Sequence, residues 1–290
     1  MQDGLEYDVV DVFAERPFRG NQLAVVHGAG DLSDAQLLAL AREFGFSETT
    51  FPTPVGPDRY RVRIFTVAGE IPFAGHPTLG TAWVLRERGL LATTTDPVQE
   101  CGAGEIRVGF TVDAVELTAV RRDLAPVDPV VANVLLAELG LAGQRLHGEA
   151  WCAGTGLSFV HLRVPPPAVR LARPARLRLA EHEISCRDPL EGVNVYAVEG
   201  PGEVHARVFV PDVGTGEDAA TGSAATGLGL VLRRTGALGE DGGYRIRQGA
   251  ELGRASVLHG RVHADDETRV SVAGGVHAIA SGRIAVPPRP

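Results

Sequence analysis

Two stretches of the chain have polar and apolar residues in the same order. The first begins at Glu70 and the second begins 147 positions later, at Glu217. Residues 70–89 read EIPFAGHPTLGTAWVLRERG, and residues 217–236 read EDAATGSAATGLGLVLRRTG. In each, a polar turn with glycine leads into an apolar run that ends in arginines and a glycine. Glycine suits the left-handed end of a helix, and arginines suit its negative pole. Each stretch therefore predicts a helix, and because the runs are apolar on all sides, we expect both helices to be buried.

The remaining pattern predicts short strands around these two helices. Further helices are predicted at 33–44, with Ser33 as its cap and Gly45 as its end, and at 130–141. A polar segment with prolines at 121–129 is interpreted as a linker, and 165–167 as a loop. Strands are predicted at 7–13, 23–26, 46–51, 60–65, 106–110, 114–119, 157–164, 193–198, 204–210, 244–248, 255–263, 268–273 and 278–285.

This order of elements predicts an α+β fold with two pseudo-symmetric domains, each a β-barrel-like sheet wrapped around a central helix. The predicted halves are residues 1–122 and 128–277, and the last strand, within 278–290, could join the first half. The N-termini of both central helices could face a shared cleft and bind a carboxylate there.

Composition excludes several classes of function. A net charge of −8 without a basic block argues against nucleic acid and anionic membranes as partners. The N-terminus lacks the pattern of a signal peptide, and no apolar run reaches the roughly 18 residues of a membrane span, so a cytoplasmic protein is expected. All 28 basic residues are arginine, which excludes a Schiff-base lysine and a P-loop lysine. Three cysteines without CxxC spacing predict neither a disulfide nor a structural zinc site.

Five segments together resemble the phenazine-biosynthesis PhzF-like isomerase family. They are DVFAERPFRGNQLAVV (11–26), FSETTF (46–51), RIFTVAGEIPFAGHPTLGTA (63–82), EDAATGSA (217–224) and RQGAELGRAS (247–256). The resemblance implies a two-domain fold shared with diaminopimelate epimerase, a homodimer, and catalysis without a metal or an organic cofactor. Gln22, Val67 and Ala219 stand where the family usually has proline, which affects the rigidity of turns more than the chemistry.

The resemblance also assigns site residues. Its acid–base glutamate falls on Glu48, and the supporting group falls on His76, Asp218 and Ser223, beside Gly75 and Gly222. The epimerase relatives carry two catalytic cysteines at the positions of Ala74 and Thr221, so a two-thiol racemase mechanism is excluded here. One carboxylate must then take a proton and return it.

Each assignment has a simpler structural interpretation. Glu48 could be an exposed strand residue, but an apolar helix and two phenylalanines flank it, and desolvation would raise its pKa toward working pH. His76 could cap a helix or act as a proton shuttle or donor. Asp218 could be a helix-terminal charge or could orient His76 or a substrate amine, and Ser223 could be only an N-cap.

Gly75 and Gly222 are expected to offer backbone N–H groups to a substrate carboxylate, because glycine allows close approach. Glu70 and Glu217 are paired by the repeat, so a structural role such as capping bonds is predicted for them. Gln248 and Arg254 could reach the cleft, or Arg254 could only pair with an acidic residue.

Three hypotheses follow. The first is a cofactor-independent isomerase that moves a proton between carbons of a small carboxylate-bearing metabolite. The second is an amino-acid epimerase in which His76 serves as the second acid. The third is a non-catalytic protein that binds a metabolite in the same place.

Overall fold

The computed structural model describes residues 4–174, 177–211 and 216–289, and the chain divides into two units. The first unit consists of Met1–Leu117 and Ala273–Pro290. Its helices are α1 (Asp34–Phe44) and α2 (Gly75–Glu87). Its strands are β1 (Leu5–Val12), β2 (Asn21–Val26), β3 (Glu48–Gly56), β4 (Arg59–Phe65), β5 (Glu70–Ile71), β6 (Val98–Cys101), β7 (Gly104–Phe110) and β18 (Val276–Ile284).

The second unit is Thr118–Val272. Its helices are α3 (Pro129–Glu138), α4 (Pro166–Val169) and α5 (Gly222–Arg234). Its strands are β9 (Asp123–Pro126), β10 (Trp151–Gly154), β11 (Ser158–Arg163), β12 (Leu190–Gly200), β13 (Glu203–Phe209), β14 (Glu217–Asp218), β15 (Gly243–Gln248) and β16 (Ser256–Val262). Two further strands, β8 (Val115–Val120) and β17 (Arg269–Gly274), cross the division between the units.

The two units repeat one strand order. In the first, β1, β2, β3, β4, β6 and β7 are neighbours whose successive pairings run antiparallel, parallel, antiparallel, parallel and antiparallel. In the second, β10, β11, β12, β13, β15 and β16 pair in the same succession. The short strands β5 and β14 pair with β4 and β13, respectively. Together with the helices, this repeat confirms the predicted α+β fold of two similar halves.

Both central helices occur where the sequence predicts them. Gly75–Glu87 and Gly222–Arg234 begin and end at positions 147 apart, and most of their residues are buried. Helix α2 contacts β1, β2, β3, β7 and β18, and α5 contacts β9, β10, β11 and β16. Gly89 and Gly236 follow the helices with φ of 69° and 68°, the left-handed conformation that glycine favours. Each unit is therefore a sheet built around its own helix.

The glycines inside these helices allow close packing against the surrounding sheet. A Cβ atom at Gly80 would lie 2.6 Å from Leu23 Cδ2 and 2.8 Å from Val12 Cγ2. At Gly227 it would lie 2.7 Å from the carbonyl oxygen of Ala153. The cost of glycine in a helix, about 1 kcal/mol, is thus offset by contact between helix and sheet.

The outer helix α1 also follows the prediction. Ser33 is its N-cap and forms a capping box with Gln36. Gly45 ends the helix with φ of 66°. This end turns the chain directly into β3. Among the described residues, no helix has the length and apolar character to cross a membrane.

Three sequence-based expectations are wrong. The supposed linker contains β9, which pairs antiparallel with β10 from Asp123 to Pro126. The expected loop at 165–167 enters α4, because proline is compatible with the first turn of a helix.

Cys152 and Cys186 form a disulfide, although none was expected. The bond joins β10 to the segment before β12. The fold, rather than the spacing of cysteines along the chain, brings these two residues together.

Candidate active site

Glu48 is the first residue of β3 and pairs with Leu23 on β2. Its side chain is 13% exposed. Burial raises its pKa from 4.5 to about 7, because a carboxylate loses water on entering the protein, and the neighbouring Ser47 side chain opposes this effect. Near neutral pH the group can therefore both accept a proton and donate one.

His76 lies beside Glu48. It is the second residue of α2, its side chain is 5% exposed, and its Nε2 is 3.4 Å from Glu48 Oε2. The N-terminal end of α2 thus positions an imidazole against the first residue of β3. The structure brings together these two predicted residues, which are far apart in sequence.

Asn21 and Ser47 support this pair and were not assigned from the sequence. Ser47 Oγ donates to Asn21 Oδ1 at 3.3 Å, and Asn21 Nδ2 lies 3.3 Å from His76 Nδ1. In this arrangement the Asn21 amide nitrogen can only donate, so Nδ1 is the acceptor and the neutral ring carries its hydrogen on Nε2, facing Glu48. The sequence signal for Asn21 is its place in RGNQLAVV, just before the apolar residues of a buried strand. In the structure Asn21 is the first residue of β2.

Gly75 begins α2 and is buried, and Ala74 occupies its N-cap position. Alanine has no side-chain acceptor, so it cannot cap the amides of the first turn. The predicted role of the Gly75 N–H group stays a prediction.

The second unit holds the other predicted residues in one turn. Asp218 ends β14, and Gly222 and Ser223 are the first two residues of α5. Asp218 Oδ2 accepts a hydrogen bond from Thr221 Oγ1 at 2.6 Å. Ser223 occupies the repeat position of His76, as Gly222 does that of Gly75, and it lies inside the helix rather than at the N-cap.

Gln248 lies against this turn. It is 2% exposed, and its amide bonds the backbone of both Asp218 and Thr221. Arg254 lies in the segment between β15 and β16, where its backbone N–H donates to the carbonyl oxygen of Gly249 at 3.0 Å.

Glu70 and Glu217 have a structural role, but not as caps. Glu70 bonds Arg63 on β4 through both carboxylate oxygens, and Glu217 bonds Arg207 on β13 in the same way. Each pair ties the short strand before a central helix to its neighbouring strand.

Strand register shows which residue of the second unit corresponds to Glu48. Phe65 pairs with Thr49 and Glu70, and Phe209 pairs with Val193 and Glu217. The residue before Thr49 is Glu48, and the residue before Val193 is Gly192. The repeat therefore places a carboxylate in one unit only.

A family model described as phenazine biosynthesis-like protein matches residues 10–282. The chain belongs to this family. The trans-2,3-dihydro-3-hydroxyanthranilate isomerase of Pseudomonas aeruginosa is 34% identical, over 96% of this chain and 98% of its own length. The protein is accordingly an isomerase of the PhzF family.

Solved structures agree with this family and its fold. A predicted epimerase from Pseudomonas aeruginosa is 29% identical, with a TM-score of 0.79 over 97% of this chain and 99% of its own. A hydroxyproline epimerase from Agrobacterium vitis is 14% identical, with a TM-score of 0.65 over 99% of this chain and 94% of its own. The second likeness shows a shared fold alone.

This member of the phenazine biosynthesis-like family has Ala74 and Thr221 as the N-caps of its central helices. Its one free cysteine in the described part of the chain, Cys101, ends β6. No thiol therefore stands at either helix start.

The described residues contain one cluster of three potential metal ligands: Asp123, Cys152 and Cys186. Two of its members are joined in the disulfide. Because a metal requires the thiolate form of cysteine, the disulfide-bonded cluster does not offer a metal site.

Proposed function

We propose that the protein is a cofactor-independent isomerase in which Glu48 is the single acid–base group. Glu48 removes a proton from one carbon of a small carboxylate-bearing substrate and returns it to another. The observation that carries this proposal is the burial of Glu48, which raises its pKa to about 7. A group that must act as base and then as acid works best when its pKa lies near the operating pH.

His76 assists as a hydrogen-bond donor. Its Nε2 lies 3.4 Å from Glu48 Oε2, and its Nδ1 is held by Asn21. A ring with its hydrogen on Nε2 can stabilise the Glu48 carboxylate or pass a proton to a substrate oxygen. The absence of a carboxylate at Gly192 supports a mechanism with one base rather than a symmetric pair.

The other assigned residues keep their proposed roles as substrate contacts. Gly75 and Gly222 offer backbone N–H groups to the substrate carboxylate, and such preorganised donors are worth roughly 3–4 kcal/mol each in transition-state stabilisation. Asp218 orients a substrate amine or hydroxyl group, and Ser223 forms a further hydrogen bond. A homodimer in the cytoplasm remains part of this proposal.

The proposed substrate class is a cyclohexadiene carboxylate, of which trans-2,3-dihydro-3-hydroxyanthranilate is the first to test. This choice follows the name of the 34% identical relative. In D₂O, we expect the wild-type protein to shift a double bond in this compound and to incorporate deuterium, as measured by mass spectrometry.

The decisive variant is Glu48→Gln, which keeps the size of the side chain but removes its ability to carry a proton. We expect it to lose about 10²–10⁴-fold of the exchange rate. The matched control is Glu43→Gln, because Glu43 is an exposed glutamate near the end of α1. Wild-type exchange by Glu48→Gln would refute the assignment of the base.

The second candidate function is epimerisation with His76 as the second acid, and the likeness to a predicted epimerase from Pseudomonas aeruginosa, 29% identical, favours it. A single base can invert a centre only if the intermediate turns over or if a second acid reaches the opposite face of the substrate. Chiral chromatography of products from a panel of amino and hydroxy acids distinguishes the two functions, because an epimerase yields a stereoisomer without moving a double bond. Tight ligand binding without any proton exchange would instead favour a non-catalytic protein.

A further inference from the structure

The side chains of Gln248 and Thr221 form a hydrogen-bond network in the turn before α5, and this network includes Asp218. Gln248 Nε2 donates to the carbonyl oxygen of Asp218 at 2.9 Å and to Thr221 Oγ1 at 3.1 Å. Gln248 Oε1 accepts from the Thr221 N–H at 3.4 Å, and Thr221 Oγ1 donates to Asp218 Oδ2 at 2.6 Å. From this network we infer that Gln248 and Thr221 are positioning residues that fix the Asp218 carboxylate for its contact with substrate.

The direction of every hydrogen bond in this network is set by the backbone. A carbonyl oxygen can only accept, so the Gln248 atom facing Asp218 must be the NH₂ group. A backbone N–H can only donate, so the atom facing Thr221 N must be the amide oxygen. Both constraints give the same amide orientation. Since an NH₂ group then also faces Thr221 Oγ1, the hydroxyl must accept there and direct its own hydrogen to Asp218.

Thr221 therefore donates its hydroxyl hydrogen to Asp218. A threonine at an N-cap usually accepts a hydrogen bond from an amide of the first turn, which is worth about 1 kcal/mol. Thr221 makes no such side-chain cap in the described structure. The Thr221 hydroxyl thus bonds the Asp218 carboxylate and does not cap α5.

The first unit shows that the fold does not need this arrangement. Helix α2 starts at the repeat position of α5 with Ala74 in place of Thr221. Arg59 and Glu203 occupy equivalent places, because each lies six residues before the equivalent residues Phe65 and Phe209. Val98 pairs with Arg59, and Arg245 pairs with Glu203. Three residues further along each strand, Cys101 therefore occupies the position of Gln248. The same helix start is thus built without either polar side chain. The network in the second unit is tied to Asp218 rather than to helix formation.

This inference rests on the proposed function, because Asp218 contacts substrate only if the isomerase assignment holds. Fixing a carboxylate before substrate arrives matters because a displacement of about 1 Å in a catalytic site can cost 100-fold in rate. The expected signature is a loss in kcat with little change in KM or in thermal stability.

The test compares Thr221→Val with Thr221→Ser. Valine matches threonine in shape but has no hydroxyl, and serine keeps the hydroxyl. We expect Thr221→Val to lose 10- to 100-fold in kcat for proton exchange, with KM within threefold of wild type. Thr221→Ser should keep at least half of the wild-type kcat. Gln248→Glu, which replaces the NH₂ donor by an oxygen, should lose as much as Thr221→Val.

A structural readout separates this inference from the proposed function. In protein labelled with ¹³C at aspartate carboxyl groups, the Asp218 signal is assigned by its loss in Asp218→Asn. At fixed pH this signal should shift in Thr221→Val and stay near its wild-type position in Thr221→Ser. If wild-type protein exchanges no proton with any substrate, the proposed function fails, while the shift still tests the network. An unshifted signal in Thr221→Val, wild-type kcat in that variant, or equal losses in both threonine variants would overturn the inference.

Discussion

The two units share a strand order and a central helix but differ at the start of the third strand. β3 begins with Glu48, and the corresponding residue of β12 is Gly192. A Cβ atom at Gly192 would meet the carbonyl oxygen of Phe209 well inside contact distance and would lie 3.2 Å from the Phe159 ring. The repeat therefore supplies the same framework twice, whereas only one copy has room for a carboxylate. This difference agrees with the proposed single-base mechanism.

A second difference concerns the arginine–glutamate pair of each unit. Arg63 and Glu70 are 39% and 42% exposed in their side chains, whereas Arg207 and Glu217 are 7% and 3% exposed. Arg207 also donates to the carbonyl oxygens of residues 169, 170 and 172. The same ion pair is thus partly exposed to solvent in the first unit and buried in the second. The environment, more than the pair itself, decides what its loss costs.

Neutralising the glutamate of each pair sharpens this comparison and should give the largest effect. We expect Glu217→Gln to lower the free energy of unfolding by about 3–5 kcal/mol, because it leaves the buried Arg207 charge without its carboxylate. Glu70→Gln should cost less than about 1 kcal/mol, because water and salt already screen the exposed pair. Urea denaturation of the two variants measures both values. Similar losses in the two variants would show that burial does not distinguish the pairs.

The sequence predicts the central helices and α1 well, because their ends are marked by local chemistry. Gly45, Gly89 and Gly236 all adopt the left-handed conformation that ends a helix. The echo of residues 70–89 at 217–236 further indicates a duplicated fold. Such signals depend on neighbouring residues, so they can be read without a structure.

What the sequence could not predict depends on contacts between distant segments. The segment of β9 contains a proline and few strand-forming residues, and pairing with β10 makes it a strand. The disulfide joins cysteines 34 residues apart, with no spacing motif. The roles of Asn21 and Gln248 likewise arise only when the strands place them against a helix start. The contrast of Glu48 with Gly192 requires strand register, because the spacing between the repeats differs between strand and helix.

Adding a side chain at Gly192 tests whether the second unit can accept one there. We expect Gly192→Ala to lower the free energy of unfolding by about 2–3 kcal/mol, because the added methyl group must displace backbone in a closely packed region. The control is Gly69→Ala, where a Cβ atom would meet nothing within 4 Å. That variant should change stability by no more than about 0.5 kcal/mol. Equal stabilities for the two variants would show that the second unit can accommodate a side chain at position 192.

Burial of Glu48 costs the first unit stability once the carboxyl group is ionised. Below about pH 4, both the folded and the unfolded protein hold the proton on Glu48, so the burial cost is absent. As the pH rises from 4.5 through about 7, the unfolded state releases this proton more readily, and the folded state loses stability relative to it. Glutamine resembles the neutral glutamate at every pH. We therefore expect Glu48→Gln to be more stable than wild type by about 3 kcal/mol at pH 8 and nearly equal to it at pH 4.

Urea denaturation at the two pH values measures this difference, and Glu43→Gln on the exposed side of α1 is the control. An inactive Glu48→Gln that gains stability only at high pH would show that the carboxylate is held in its site against the preference of the fold. A gain of the same size at pH 4 would have another origin, such as better packing of the amide. A loss at pH 8 would mean that the ionised carboxylate is stabilised by His76 and Ser47 by more than its burial costs.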